Sequence, residues 1–95
     1  MIELEQLKQV IAFAKYGTLS KAAEELYISQ PALSRSIQKL EKTLGVELFD
    51  RKKNKMVLNE NGKTVIQYAE KILNLVDEMK EKVRACLKTI EMMNF

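Results

Sequence analysis

The stretch that most constrains this 95-residue chain runs from Ser29 to Gly45. It reads as one short helix with a marked start and a marked stop. Ser29 is a good N-cap, because its hydroxyl can accept from backbone N–H groups that no carbonyl reaches. Pro31 falls in the first turn, where a missing N–H costs little, and Gly45 suits the left-handed residue that closes a helix. Between them Leu33, Ile37, Leu40 and Leu44 recur at helical spacing and form one apolar stripe. At about 100° per residue, Pro31, Arg35, Gln38 and Lys42 point away from that stripe, flanked by Ser34 and Lys39. One face fits a core, and the other carries groups suited to base edges and phosphates. A solvated helix face would look the same, so this stretch alone leaves both readings open.

The segments before it narrow the choice. Glu3 to about Lys15 is predicted as a first helix with Leu4, Leu7, Val10, Ile11 and Ala14 as its buried stripe, ended at Gly17. Ser20 is the expected N-cap of a short second helix running to about Tyr27. Its Ala22 and Ala23 allow close helix packing, and Leu26 and Ile28 anchor it. Only Ile28 and Ser29 separate it from the third helix, too short a link for the two to lie side by side. The pattern is a helix-turn-helix, which leaves the start of the third helix protruding, free to enter a major groove.

After Gly45 the texture changes. Val46–Phe49 and Met56–Leu58 are short apolar runs of strand type, joined by Arg51-Lys52-Lys53-Asn54-Lys55. This reads as a hairpin, or wing. A two-stranded ribbon is marginal alone, so Leu48, Phe49 and Val57 are expected to pack on the helices. The net charge is only +3, but it is clustered. Residues 1–58 hold ten Lys and Arg against seven Asp and Glu, whereas residues 59–95 hold six of each. A cationic excess confined to one region points to a polyanionic partner.

Asn59 is predicted to cap a fourth helix, with Glu60 in its first turn and Gly62 as a weak spot. The chain then runs to about Met93 without Pro or Gly. Val65, Ile72, Met79 and Cys86 are spaced by seven, and so are Ala69, Val76, Val83 and Ile90, together a coiled-coil seam. Such a helix is about 45–50 Å long, against a radius of gyration of ~10 Å for the body before it. It overshoots, and a second copy in a two-fold dimer is the most economical cover for its seam. Cys86 is read as a seam filler. The expected organisation is therefore mostly α: a winged helix-turn-helix over 1–58 and a dimerising linker helix over 59–95.

Composition excludes several function classes. With no histidine and one cysteine, the usual zinc sites, His-based catalysis and an intramolecular disulfide are ruled out. The acidic start is no signal peptide, and no apolar run approaches the ~20 residues needed to span a bilayer. Together these suggest a reducing cytoplasm. No enzyme constellation and no cofactor site is found.

These residues resemble the N-terminal region of LysR-type transcriptional regulators. The likeness is carried by Ala22-Ala23, Ser29-Gln30-Pro31-Ala32-Leu33-Ser34-Arg35, Ile37, Leu40-Glu41, Leu44-Gly45-Val46, Leu48-Phe49, Arg51, Leu58 and Asn61-Gly62. It covers residues 1 to about 90. The resemblance implies a winged helix-turn-helix followed by a linker helix that pairs antiparallel with a second copy. It also implies binding of double-stranded DNA at the two half-sites of an interrupted inverted repeat. The family continues into a large effector-binding domain, and none of that domain is recognisable here. The chain is therefore expected to be an isolated DNA-binding fragment, with any small-molecule effector acting only through such a C-terminal domain. Some relatives place a minor-groove arginine at the wing tip where this chain has Asn54, and Lys53 or Lys55 are the available substitutes.

Carried onto this chain, the DNA contacts implied are Gln30, Pro31, Ser34 and Arg35 in the helix, and Arg51 with Lys52, Lys53 and Lys55 in the wing. Gln30 offers the donor and acceptor that suit adenine, and Arg35 a fork that suits guanine or phosphate. Pro31 chiefly shapes the helix start. Ser34 is assigned to phosphate. Gln38, Lys39 and Lys42 lie further along, for phosphate or for solvent alike. Arg51 follows Asp50 and could serve a local ion pair. Thr18, Ser20 and Lys21 are further phosphate candidates. The rival reading is a homodimeric protein-interaction module without DNA binding.

Overall fold

A computed structural model describes residues 1–53 and 55–93, with side chains through Leu87. Four helices and one hairpin follow in order: α1 (Leu4–Tyr16), α2 (Leu19–Leu26), α3 (Gln30–Leu44), β1 (Phe49–Lys52), β2 (Lys55–Leu58) and α4 (Glu60–Met93). The shape is elongated, 64 × 25 × 21 Å, because α4 runs beyond the body.

Local chemistry sets the helix ends. A reciprocal capping box of Glu3 and Gln6 starts α1, which stops at Gly17 in the left-handed region (φ 81°). The expected stripe on α1 is rotated. Leu7 and Val10 are buried, but Leu4 is exposed and Ile11 and Ala14 are half-buried. The buried surface instead reaches Gln6, Gln9, Ala12 and Phe13, because α1 packs against α2, α3 and α4. Buried Gln9 is satisfied by the Ser36 hydroxyl, which donates to its Oε1.

Ser20 is not the cap of α2. Thr18 takes that place, its Oγ1 accepting from the Lys21 N–H at 3.1 Å. Starting the helix two residues earlier than Ser20 brings Leu19 into its first turn, packed on the core. Ser29 caps α3 as expected, accepting from the Ala32 N–H at 3.2 Å, and Gly45 closes it with φ 74°. Leu33, Ile37 and Leu40 are buried, while Leu44 stays exposed.

The first strand lies later in the chain than expected, while the second covers the expected Met56–Leu58. The ladder pairs Phe49 with Leu58, Asp50 with Val57, Arg51 with Met56 and Lys52 with Lys55. Arg51 and Lys52 are therefore strand residues, and the turn is two residues long with Lys53 at φ 46°, as tight hairpin turns require. Alternation along the strands decides which side chains face the helices. Phe49, Met56 and Leu58 turn inward onto the core, and Val57 points to solvent, contrary to expectation.

Asn59 caps α4, its Oδ1 accepting from the Gly62 N–H at 2.9 Å. Gly62 is no weak spot. It is buried, and a Cβ there would collide with the Leu48 carbonyl and the Leu58 side chain. The first turns of α4 belong to the body: Ala69 is buried, and Val65 and Ile66 pack on the core.

Candidate nucleic-acid interface

The turn between α2 and α3 is as short as the sequence implies. Tyr27 closes α2 in the left-handed region (φ 57°), the Ile28 N–H donates back to Ala23 O, and Ser29 opens α3. The start of α3 is thereby held proud, with Gln30, Pro31 and Arg35 exposed and Ser34 half-buried.

Two depressions flank this face. One cleft of about 130 Å³ brings Ser34 and Gln38 of α3 together with Arg51 of β1, over a floor that includes Phe13, Leu19, Ile37 and Met56. Arg51 reaches it because it shares the inward face of the strand with Phe49. The second depression lies between α3 and the start of α1. Arg35, Gln38, Lys39 and Lys42 line it, opposite Glu3 and Glu5. The third helix and the wing root thus form one surface, continued by the exposed tip residues Lys52, Lys53 and Lys55.

Carboxylates stand near that surface, Glu41 in the cleft with Arg51 and Glu3 and Glu5 across from Arg35, but none closes an ion pair with its cations among the described residues. Among the described residues the ion pairs are Lys21–Glu25 at 3.7 Å and Lys63–Glu60 at 3.2 Å. Arg35, Arg51 and the wing lysines have no internal carboxylate partner among them. The local pairing of Arg51 with Asp50 does not form; Asp50 Oδ1 instead accepts from Asn59 Nδ2 at 3.4 Å. Lys52 and Lys55 sit directly opposite across the ladder, where like charges repel at about 4.5–5.5 Å between Cβ atoms. Ser20 is exposed on the first turn of α2, and Lys21 is engaged by Glu25. Asn54 lies outside the described residues. No cluster of His, Cys, Asp and Glu among the described residues could hold a metal ion.

On α4 the apolar face that remains uncovered is rotated from the expected seam. Ile72, Met79 and Val83 are exposed, as is the Cys86 thiol, and Val76 is half-buried. Val65 and Ala69, expected in the seam, are covered within the subunit. Tyr68, Leu75 and Leu87, missed in the sequence, are exposed beside it. Tyr68, Ile72, Leu75 and Met79 alternate by four and three, so the uncovered face is itself a heptad stripe. The side chain of Ile90 lies outside those described. No helix among the described residues is long and apolar enough to cross a membrane.

Comparison with known proteins gives this geometry a family. Residues 4–63 match the model of the bacterial regulatory helix-turn-helix proteins of the lysR family. The chain is 46% identical over 88 residues to a probable RuBisCO transcriptional regulator of Guillardia theta, which covers 93% of this chain and 28% of that protein. The solved complex of the CbnR DNA-binding domain with DNA superposes with a TM-score of 0.85 at 36% identity, over 90% of this chain and 98% of that one. The BenM DNA-binding domain bound to benA site 1 DNA superposes with a TM-score of 0.83 at 37% identity, over 88% of this chain and 94% of that one. The chain thus spans just over a quarter of the length of its regulator relative and nearly all of the two solved DNA-binding domains. It belongs to the lysR family of bacterial regulatory helix-turn-helix proteins, a family of transcription regulators rather than enzymes, and its fold is that family's winged helix-turn-helix DNA-binding domain with the long helix that follows.

Proposed function

We propose that this chain binds double-stranded DNA in a sequence-specific manner as a homodimer, reading an interrupted inverted repeat. The start of α3 enters the major groove, where Gln30 and Arg35 contact base edges and Ser34 contacts phosphate. Gln38 and Lys39 follow the backbone where the helix leaves the groove. Arg51, Lys52, Lys53 and Lys55 bring the wing onto the backbone, and Ser20 touches the phosphates flanking α2. The uncovered face of α4, from Ile72 through Val76, Met79, Val83 and Cys86, joins two copies, which act in the cytoplasm. A small-molecule effector would act through a C-terminal effector domain of the family's kind.

The observation that carries this reading is the opposed pair Lys52 and Lys55 beside unpaired Arg51 and Arg35. Repulsion across a four-residue strand pair is retained without an internal counter-ion, and a line of phosphates would relieve it. A module that only bound protein through α4 would leave these cations without a use. In vitro selection from random duplexes tests the reading. The expected yield is an inverted repeat of two matching half-sites. A pool that stays random through successive rounds would refute it.

A further inference from the structure

Leu48 ties two helices with its two backbone polar groups. Its N–H donates to Glu41 Oε2 of α3 at 2.7 Å, and its carbonyl accepts from the Asn59 N–H, at the cap of α4, at 3.0 Å. The side chain is wholly buried, so neither group has water as an alternative. The neighbouring Glu47 carbonyl accepts from Asn59 Nδ2 at 2.9 Å and from Asn61 Nδ2 at 3.3 Å. Gly62 then brings the backbone of α4 against the Leu48 carbonyl and the Leu58 side chain so closely that no Cβ fits. A roll or slide of the first turn of α4 would drive one of these groups into another.

We infer that this joint is a specificity device: it fixes the angle between α3 and α4 and so sets the half-site spacing that the dimer accepts. The inference rests on the dimeric DNA-binding reading above. α1 packs on both α3 and α4, and α4 also meets β2; beside that packing, Leu48 adds a hydrogen-bonded tie from α3 to the start of α4. The bond that the Glu41 carboxylate accepts from the Leu48 N–H is charge-assisted and correspondingly stiff. One base pair added between half-sites moves the second by about 3.4 Å and turns it by about 35°. A stiff joint admits one spacing and rejects its neighbours, whereas a compliant one tolerates several. Glu41, Asn59, Asn61 and Gly62 are thus positioning residues that touch no DNA.

The test is the double variant Asn59→Ser with Asn61→Ala. Serine keeps a capping oxygen for the Gly62 N–H, while both straps to the Glu47 carbonyl are lost. Affinity is measured for a single half-site, for the inverted repeat at its best spacing, and for repeats one and two base pairs longer or shorter. Half-site affinity is expected to stay within about twofold of the parent, as for independent sites. The ratio between the best spacing and its neighbours is expected to fall toward unity. A ratio equal to the parent's overturns the inference. If the double variant loses its helical circular dichroism, Glu41→Gln, which keeps an uncharged acceptor for the Leu48 N–H, is put through the same comparison with the same criteria. A parent protein that does not prefer a repeat over a half-site would instead overturn the dimeric reading itself.

Discussion

The rings of Phe13 in α1 and Phe49 in β1 stack with centroids 4.5 Å apart and planes 28° from parallel. Offset aromatic pairs add about 0.5–1.5 kcal/mol beyond their buried area. This pair fastens the root of the hairpin to the most buried helix of the body. Arg51, two residues further on the same face, is thereby brought to the cleft it shares with Ser34 and Gln38. The tip with Lys52, Lys53 and Lys55 projects past the core and depends on no packing of its own.

Arg35 carries the sharpest prediction about the groove. Arg35→Ala is expected to weaken binding to the selected site by about 1–3 kcal/mol and to relax one base position. Its side chain is exposed and outside every ion pair among the described residues, so stability should hold within about 0.5 kcal/mol. Anisotropy titrations against the site and its single-base variants, with a thermal melt, check both parts. Equal losses on selected and random duplexes would make Arg35 a phosphate contact only.

In the wing, Lys55→Ala removes one side of the opposed Lys52–Lys55 pair. Binding should weaken on all sequences alike, and the slope of log affinity against log salt should become shallower by about 1 per subunit. Stability should be unchanged or slightly higher, because a cross-strand repulsion disappears. Salt titrations and urea unfolding read the two effects separately.

For the linker helix, Met79→Asp is expected to give a folded monomer. Met79 is exposed in the single chain, so its replacement costs the subunit little, but it places a charge in the proposed apolar seam. Ala69→Asp should instead unfold the body, because Ala69 is buried within the subunit. Sedimentation and circular dichroism distinguish the two outcomes. An intact Met79→Asp dimer would displace the seam.

At the start of α2, Thr18→Ala should cost about 1 kcal/mol through loss of the cap to the Lys21 N–H. Ser20→Ala, inside the first turn and exposed, should stay within about 0.5 kcal/mol. Urea midpoints of the two variants would show the difference, and reversed values would return the cap to Ser20.

These outcomes separate what is local in the chain from what is not. Ser29, Gly45, Asn59 and Gly17 announce helix ends because capping chemistry acts over three or four residues. Thr18 and Ser20 are chemically similar caps, and the choice between them turns on Leu19 reaching the core, a contact distant in sequence. The apolar run from Val46 reads as a strand, yet the ladder begins only at Phe49. Leu48 has already given its N–H to Glu41 and its carbonyl to Asn59, partners seven and eleven residues away. Gly62 reads as a helix weakness until the Leu48 carbonyl is seen against it. A heptad pattern marks an apolar face but not who covers it, so the burial of Val65 and Ala69 within the subunit is invisible in the sequence. On the proposed DNA face, the exposed polar residues of α3 follow from periodicity, whereas the exposure of Leu44 does not. The meeting of Arg51 with Ser34 and Gln38 depends on a strand register that only the fold supplies.

Binding by α3 and the wing is proposed to be both sequence-specific and cation-driven. It is tested most directly by measuring the affinity of the unmodified chain for its selected duplex and for a shuffled duplex over a series of salt concentrations. The selected-site affinity is expected to be about 10³-fold or more above the shuffled one, with log affinity falling against log salt at a slope of about −5 to −9 for six to ten phosphates per dimer. Equal affinity for the two duplexes, or binding indifferent to salt, would contradict it.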